Sequence, residues 1–183
     1  LFFGDEIEEI ETFDNANNHT LAKHEAYTIY PANIFVTAPD TMQKAMVIIQ
    51  QDMEKQVNYF KSLDKVLEAK RLEERVTYDL EMMRELGYCS GIENYSRYFD
   101  GRIAGTRPFC LMDYFPNDFI MMVDESHVTL PQVRAMYGGD LSRKQNLVEF
   151  GFRLPAALDN RPLKFEEYTS LVNQIIYISA TPA

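Results

Sequence analysis

The sequence has 183 residues, 46% of them hydrophobic and 25% charged, with a formal net charge of −10. That balance fits a soluble globular chain of one ordinary domain or two small ones, and no stretch of about 18 uncharged apolar residues is present to span a membrane. So acidic a chain does not grip duplex nucleic acid by overall charge, and any such contact has to come from a local patch.

The opening LFFGDEIEEI has no basic region and no apolar run of about 7–15 residues, so it is not a signal peptide. There is no starting Met, and the chain stops at Ala180-Thr181-Pro182-Ala183 just after an apolar run. The expectation is a piece of a longer, cytoplasmic protein. Cys89 and Cys110 are too few and too far apart for a zinc site or a disulfide framework, and are expected to be reduced, partly buried thiols.

Residues 1–36 read as strands and turns. Gly4-Asp5-Glu6 interrupts Leu1-Phe2-Phe3, Ile7 and Ile10 suggest another short strand, and Asp14-Asn15-Ala16-Asn17-Asn18 is a polar loop. Tyr27-Thr28-Ile29-Tyr30 is a β-type run that Pro31 ends. Asp5, Glu6, Glu8, Glu9, Glu11 and Asp14 all precede the first Lys or Arg, Lys23. They form either a solvated face or an acidic docking surface for a basic partner.

Residues 40–86 carry the clearest helical pattern. Asp40 or Thr41 is the expected N-cap, and Met42, Ala45, Met46, Ile49, Met53, Val57 and Phe60 then recur at three- and four-residue steps. Ser62-Leu63-Asp64 reads as a break. A second helix carries Val66, Leu67, Leu72, Val76, Leu80, Met83 and Leu86, with Gly87 as its cap. A helical hairpin is expected, its Met-rich stripe serving as core or as a partner groove, and its mixed charges (Lys70, Arg71, Glu73, Glu74, Arg75) lying in solvent.

Residues 87–118 are rich in Gly, Pro and aromatics, a composition of loops that often carry function. Tyr95, Arg97 and Tyr98 offer ring faces and a guanidinium suited to stacking on unpaired bases. The alternative is that the aromatics pin the loop to the core. Next come two apolar runs of strand length, FIMMV (119–123) and IIYIS (175–179), separated by helix and loop in 131–174. The pattern predicts α/β architecture, with parallel strands buried on both faces.

Ligands bind at the carboxyl ends of strands in an open parallel sheet. The first run ends in Asp124-Glu125-Ser126-His127 and the second in Ser179-Ala180-Thr181. Carboxylates there suit Mg²⁺, which prefers hard oxygen ligands, and an attacking water, which needs an acceptor. Asp124 could equally cap a helix.

DESH followed by SAT looks like motifs II and III of superfamily 2 helicases. The longer phrases RLEERVTYDLEMMRELGYCSGIENYSRYF, LMDYFPNDFIMMVDESHVTLPQVRAMYGGDLSRKQNLVEFGFRLPAALDNRPL and QIIYISATP resemble the UvrB family of the bacterial UvrABC excinuclease. The resemblance implies an α/β fold. Residues 1–36 would be the end of a β-rich UvrA-interaction module. Residues 37–118 would be a helical insert with an aromatic loop, and 119–183 the later part of a first RecA-like helicase domain. It implies ATP and Mg²⁺ in the complete protein, with none bound to this piece, and UvrA, UvrC and damaged DNA as partners. Asp124 and Glu125 match the magnesium-binding and water-activating positions. His127 matches the fourth residue of the DExH box, and Ser179 and Thr181 the motif that couples the nucleotide site to DNA. Asp5, Glu6, Glu8 and Glu9 would face UvrA.

No G-x-x-x-x-G-K-S/T phosphate loop occurs in the 183 residues. The piece alone is therefore expected not to hydrolyse ATP. Two rivals remain open at this point. One is another superfamily 2 motor, and the other a non-catalytic interaction module in which DESH is scaffold.

Overall fold

The computed structural model describes residues 2–3, 6–28 and 38–181. The chain divides into two compact units, residues 1–34 and 35–183.

The first unit is built of two antiparallel pairs. Strand β1 (Phe2–Phe3) pairs with β2 (Glu6–Ile7), and β3 (Ile10–Phe13) pairs with β4 (Thr20–His24). The polar loop between β3 and β4 is closed by its own side chains. Asp14 Oδ1 accepts from the Ala16 amide and Asn17 Oδ1 from the His19 amide, the Asx bonding that favours these residues in turns. One expectation changes here: Ile7 and Ile10 belong to different strands, and the strand returning from the polar loop is Thr20–His24. The loop sets a register in which His24 meets Ile10, and the ladder ends there, before Tyr27 and Thr28. Ile29 and Tyr30 lie outside the described residues.

The second unit is organised around a helical hairpin, α1 (Pro39–Ser62) and α2 (Val66–Leu86). The N-cap is Ala38, not Asp40 or Thr41. Pro39 takes the first helical position, where its missing N–H costs nothing and its φ is already helical, and Asp40 sits in the first turn. All seven apolar residues read as the stripe of α1 are buried. In α2 the stripe is Ala69, Leu72, Val76, Leu80 and Met83, while Val66, Leu67 and Leu86 lie off it and are exposed. Burying Leu72 completely is worth about 2 kcal/mol. Gly87 ends α2 in the left-handed conformation, its amide donating to the Met83 carbonyl.

Residues 87–118 fold as short turns: a 3-10 turn at Ile92–Tyr95, α3 (Ser96–Asp100) and a 3-10 turn at Leu111–Tyr114. Cys89, Ile92 and Tyr95, with Leu154 and Ala156 from far along the chain, complete the core of the hairpin. The paired Arg107 guanidinium holds the Asp113 carboxyl well below the usual carboxylate range.

Strand β5 (Ile120–Val123) leads to α4 (Ser126–Glu149), a 3-10 turn at Pro155–Asp159, α5 (Phe165–Leu171) and β6 (Gln174–Tyr177). The two strands are parallel, with Ile120 opposite Gln174 and Val123 opposite Tyr177. Their two-sided burial is not met among the described residues. Val123 is buried, but Ile120, Met122 and Ile176 are exposed, because a two-stranded pair has helices packed against only part of it. Helix α4 runs unbroken through Pro131, Gly138 and Gly139. Those residues disfavour a helix by about 3 kcal/mol for an interior Pro and about 1 for each Gly. No helix among the described residues is long and apolar enough to cross a membrane.

Candidate functional site

The carboxyl ends of β5 and β6 meet. The Ile178 amide donates to the Val123 carbonyl and the Ser126 amide donates to the Ile178 carbonyl, both at 2.9 Å, carrying the pairing past the strand ends. This brings Ser179 to His127: Ser179 Oγ lies 2.8 Å from His127 Nδ1, and Glu125 Oε2 is 3.4 Å from the same nitrogen. The Thr181 amide donates to Ser179 Oγ. Three of the predicted residues, Glu125, His127 and Ser179, are thus in contact, and Asp124 and Thr181 flank them.

Glu125 occupies the N-cap position of α4 with φ 46° and ψ 46°. A non-glycine residue held there stores roughly 1–3 kcal/mol of strain. Its carboxylate makes no capping bond and is 59% exposed. The Asp124 carboxylate accepts from the Glu125 amide through Oδ1, and the Asp124 carbonyl accepts from Thr129 Oγ1. Neither carboxylate is spent on capping the helix. Among the described residues no three His, Cys, Asp or Glu side chains form a metal cage. Magnesium, however, takes one or two protein carboxylates and completes its shell with water and phosphate oxygens. Asp124, with its second oxygen outside the amide bond, fits such a partial site.

Tyr95 and Arg97 lie elsewhere. Tyr95 is 3% exposed, a core side chain and not a stacking face: its hydroxyl donates to Asp79 Oδ2 at 2.8 Å. Burial, with Asp79 beside it, pushes that hydroxyl well above its ordinary value. Arg97 donates to Asp159 Oδ2 and Asp52 Oδ2. The aromatic loop is pinned to the core through residues the sequence offered to DNA. Asp79, buried at 2%, carries no signal in the sequence, because a carboxylate on a helix ordinarily faces solvent. Burial pushes the Cys89 thiol up to about 12.

A cationic and aromatic patch instead forms where α2 meets residues 88–90 and 150–153. Arg71 donates to the Phe150 carbonyl and lies 4.3 Å from the centre of the Phe152 ring. Arg75 donates to the Ser90 carbonyl, and a Cβ on Gly91 would lie 3.7 Å from the Arg153 guanidinium. Phe150 and Phe152 are exposed beside Arg71, and Tyr88 is exposed as well. Sequence reading missed the patch because Arg71 and Phe150 are 79 positions apart.

In the first unit, Asp5 lies outside the described residues, and of Glu6 only the backbone is described. Glu8 is exposed, while Glu9 and Glu11 both pair with Lys23, which lowers the Glu11 pKa and raises its own. The β3–β4 hairpin also exposes Phe13 and Leu21.

The UvrB interaction domain family matches residues 1–35, and the UvrB third helical domain family matches residues 40–101. The chain is 65% identical over 182 residues to UvrABC system protein B of Bacteroides fragilis. It is 58% identical over 181 residues to the protein of that name from Cytophaga hutchinsonii, and 57% over 180 residues to that from Natranaerobius thermophilus. These alignments cover 98–100% of this chain but 27% of each relative, so the chain spans about a quarter of the length of the curated relatives it matches.

Proposed function

Because the chain belongs to the UvrB family, we propose that it is part of a cytoplasmic, ATP-driven subunit of bacterial nucleotide excision repair. In this reading the subunit probes DNA for lesions with UvrA and passes the damaged site to UvrC. Residues 119–181 supply the later part of a RecA-like domain. The observation that carries the proposal is the 2.8 Å contact of Ser179 with His127, which joins the two strand-end motifs into one edge.

At that edge Asp124 would hold magnesium, and Glu125 would orient the attacking water and take its proton. Bound magnesium would offset charge on the transferring phosphate. The hydrogen bond between Ser179 Oγ and His127 Nδ1 holds the imidazole ring at the edge. The phosphate loop that this chemistry requires is absent from the 183 residues and is assigned to the remainder of the full-length protein. DNA is assigned to the patch of Arg71, Arg75 and Arg153, whose guanidinium groups and neighbouring exposed rings suit an unpaired strand.

ATP turnover tests the catalytic assignment. The full-length protein should hydrolyse ATP, lose about 10²–10⁴-fold in rate with Glu125→Gln, and show no turnover when reduced to residues 1–183. Turnover by the isolated chain that Glu125→Gln abolishes would overturn the division of the site. Full-length activity indifferent to Glu125→Gln would overturn the role of Glu125.

A further inference from the structure

Three consecutive residues, Asp159, Asn160 and Arg161, hold three separate parts of the second unit. Asp159, 6% exposed, faces the helical insert. Its Oδ2 accepts from Arg97 of α3 at 2.7 Å, its Oδ1 accepts from the Gly105 amide at 2.7 Å, and Arg97 continues to Asp52 of α1. The Asn160 carbonyl faces the other way and accepts from Lys144 of α4, a lysine that is itself buried. Arg161 is clamped by both oxygens of Glu167 and lies over the ring of Tyr137, also on α4.

Helix α4 needs this support. Pro131, Gly138 and Gly139 make it a poor helix in isolation, and Ser126 and Lys144 are its only buried residues. Residues 160–161 therefore act as a splint along its second half. The same helix starts at Ser126, directly after Glu125, and carries His127 in its first turn.

We infer that Asp159 is a positioning residue that joins the splinted helix of the carboxylate edge to the helical insert, so that a shift in one is transmitted to the other. The inference rests on the proposed reading that the edge acts on nucleotide and the insert side meets DNA. Coupling of this kind is carried by rigid elements and hydrogen-bond networks, and is established by a measured interaction energy, not by proximity.

The test uses the full-length protein with Asp159→Asn, which cuts the insert side, Lys144→Met, which cuts the α4 side while keeping the stem, and the double variant. ATP turnover is measured with and without single-stranded DNA. Each single variant should keep its DNA-free rate within about twofold and lose about fivefold or more of the stimulation by DNA. The double variant should be no worse than either single one, because both cut the same connection. Stimulation kept at the wild-type level in either variant, a multiplied loss in the double variant, or a DNA-free rate that falls in step with the stimulated one would each overturn the inference.

Hydrogen exchange in the absence of nucleotide separates this inference from the reading it rests on. Lys144→Met should speed exchange of the Gly105 amide about tenfold, and unchanged exchange there overturns the joint even if ATP turnover is as proposed. An unstimulated wild-type protein with accelerated Gly105 exchange in Lys144→Met would instead overturn the proposed function while leaving the joint in place. If Asp159→Asn does not fold, Lys144→Met carries both measurements.

Discussion

Gly151 shows how much a single backbone position can require. Its φ is 71°, and a Cβ there would stand 2.4 Å from the Glu68 carbonyl oxygen, a backbone atom of α2 that cannot swing away. Gly151→Ala therefore meets both a left-handed backbone penalty and a direct collision, and should cost at least about 1–3 kcal/mol. Chemical denaturation measures this, and a variant as stable as the parent would show that α2 and residues 150–153 do not approach as described. The same close approach brings Arg71 onto the Phe150 carbonyl and the Phe152 ring. One hydrogen atom in place of a methyl group thus permits the arginine–aromatic patch. Glu125 is the other strained residue with a consequence: its left-handed backbone turns the chain from β5 into α4 and leaves its carboxylate at the strand end.

Among the described residues of the first unit, the β3–β4 hairpin presents exposed apolar side chains. Sequence reading stressed its acid, yet Glu9 and Glu11 already share Lys23, and the exposed Phe13 and Leu21 are the larger apolar groups. In interfaces, buried apolar anchors set affinity while rim charges tune rate and salt dependence. If the hairpin docks on UvrA, Leu21→Ser should weaken binding by about tenfold or more in calorimetry, and Glu8→Gln should chiefly change its salt dependence. Full affinity retained by Leu21→Ser would reject the hairpin as the docking element. The α1–α2 hairpin behaves differently, because its stripe is consumed in the core and is not offered to a partner.

Across the whole molecule, a net charge of −10 is set against a local group of arginines on α2 and at residue 153. In the proposed reading the overall charge would oppose DNA binding by long-range repulsion, and Arg71, Arg75 and Arg153 would supply short-range contacts. Single-strand binding by the full-length protein should therefore depend on the patch. Arg153→Ala should flatten the slope of log affinity against log salt by about 0.7–1, the share of one phosphate contact. An unchanged slope and affinity would place DNA elsewhere. Tyr95→Phe is the contrasting control: Tyr95 is buried, so removing its hydroxyl should cost stability through Asp79 and leave the salt slope alone.

Local signals were legible in the residues alone. The stripe of α1, the left-handed glycine after α2, the two apolar runs and the carboxylates and hydroxyls at their ends all depend on neighbours within a few positions, and those interactions are present in any window of the chain. Membership of the UvrB family likewise follows from contiguous phrases. Long-range packing settled the rest. Whether Tyr95 faces DNA or Asp79, whether Ile120 and Met122 are covered, and which arginines gather beside Phe152 depend on which distant segments come together. That choice is made by burial and close approach summed over the unit, so Tyr95 and Arg97 hold the fold while a patch drawn from residues 71–90 and 150–153 faces solvent.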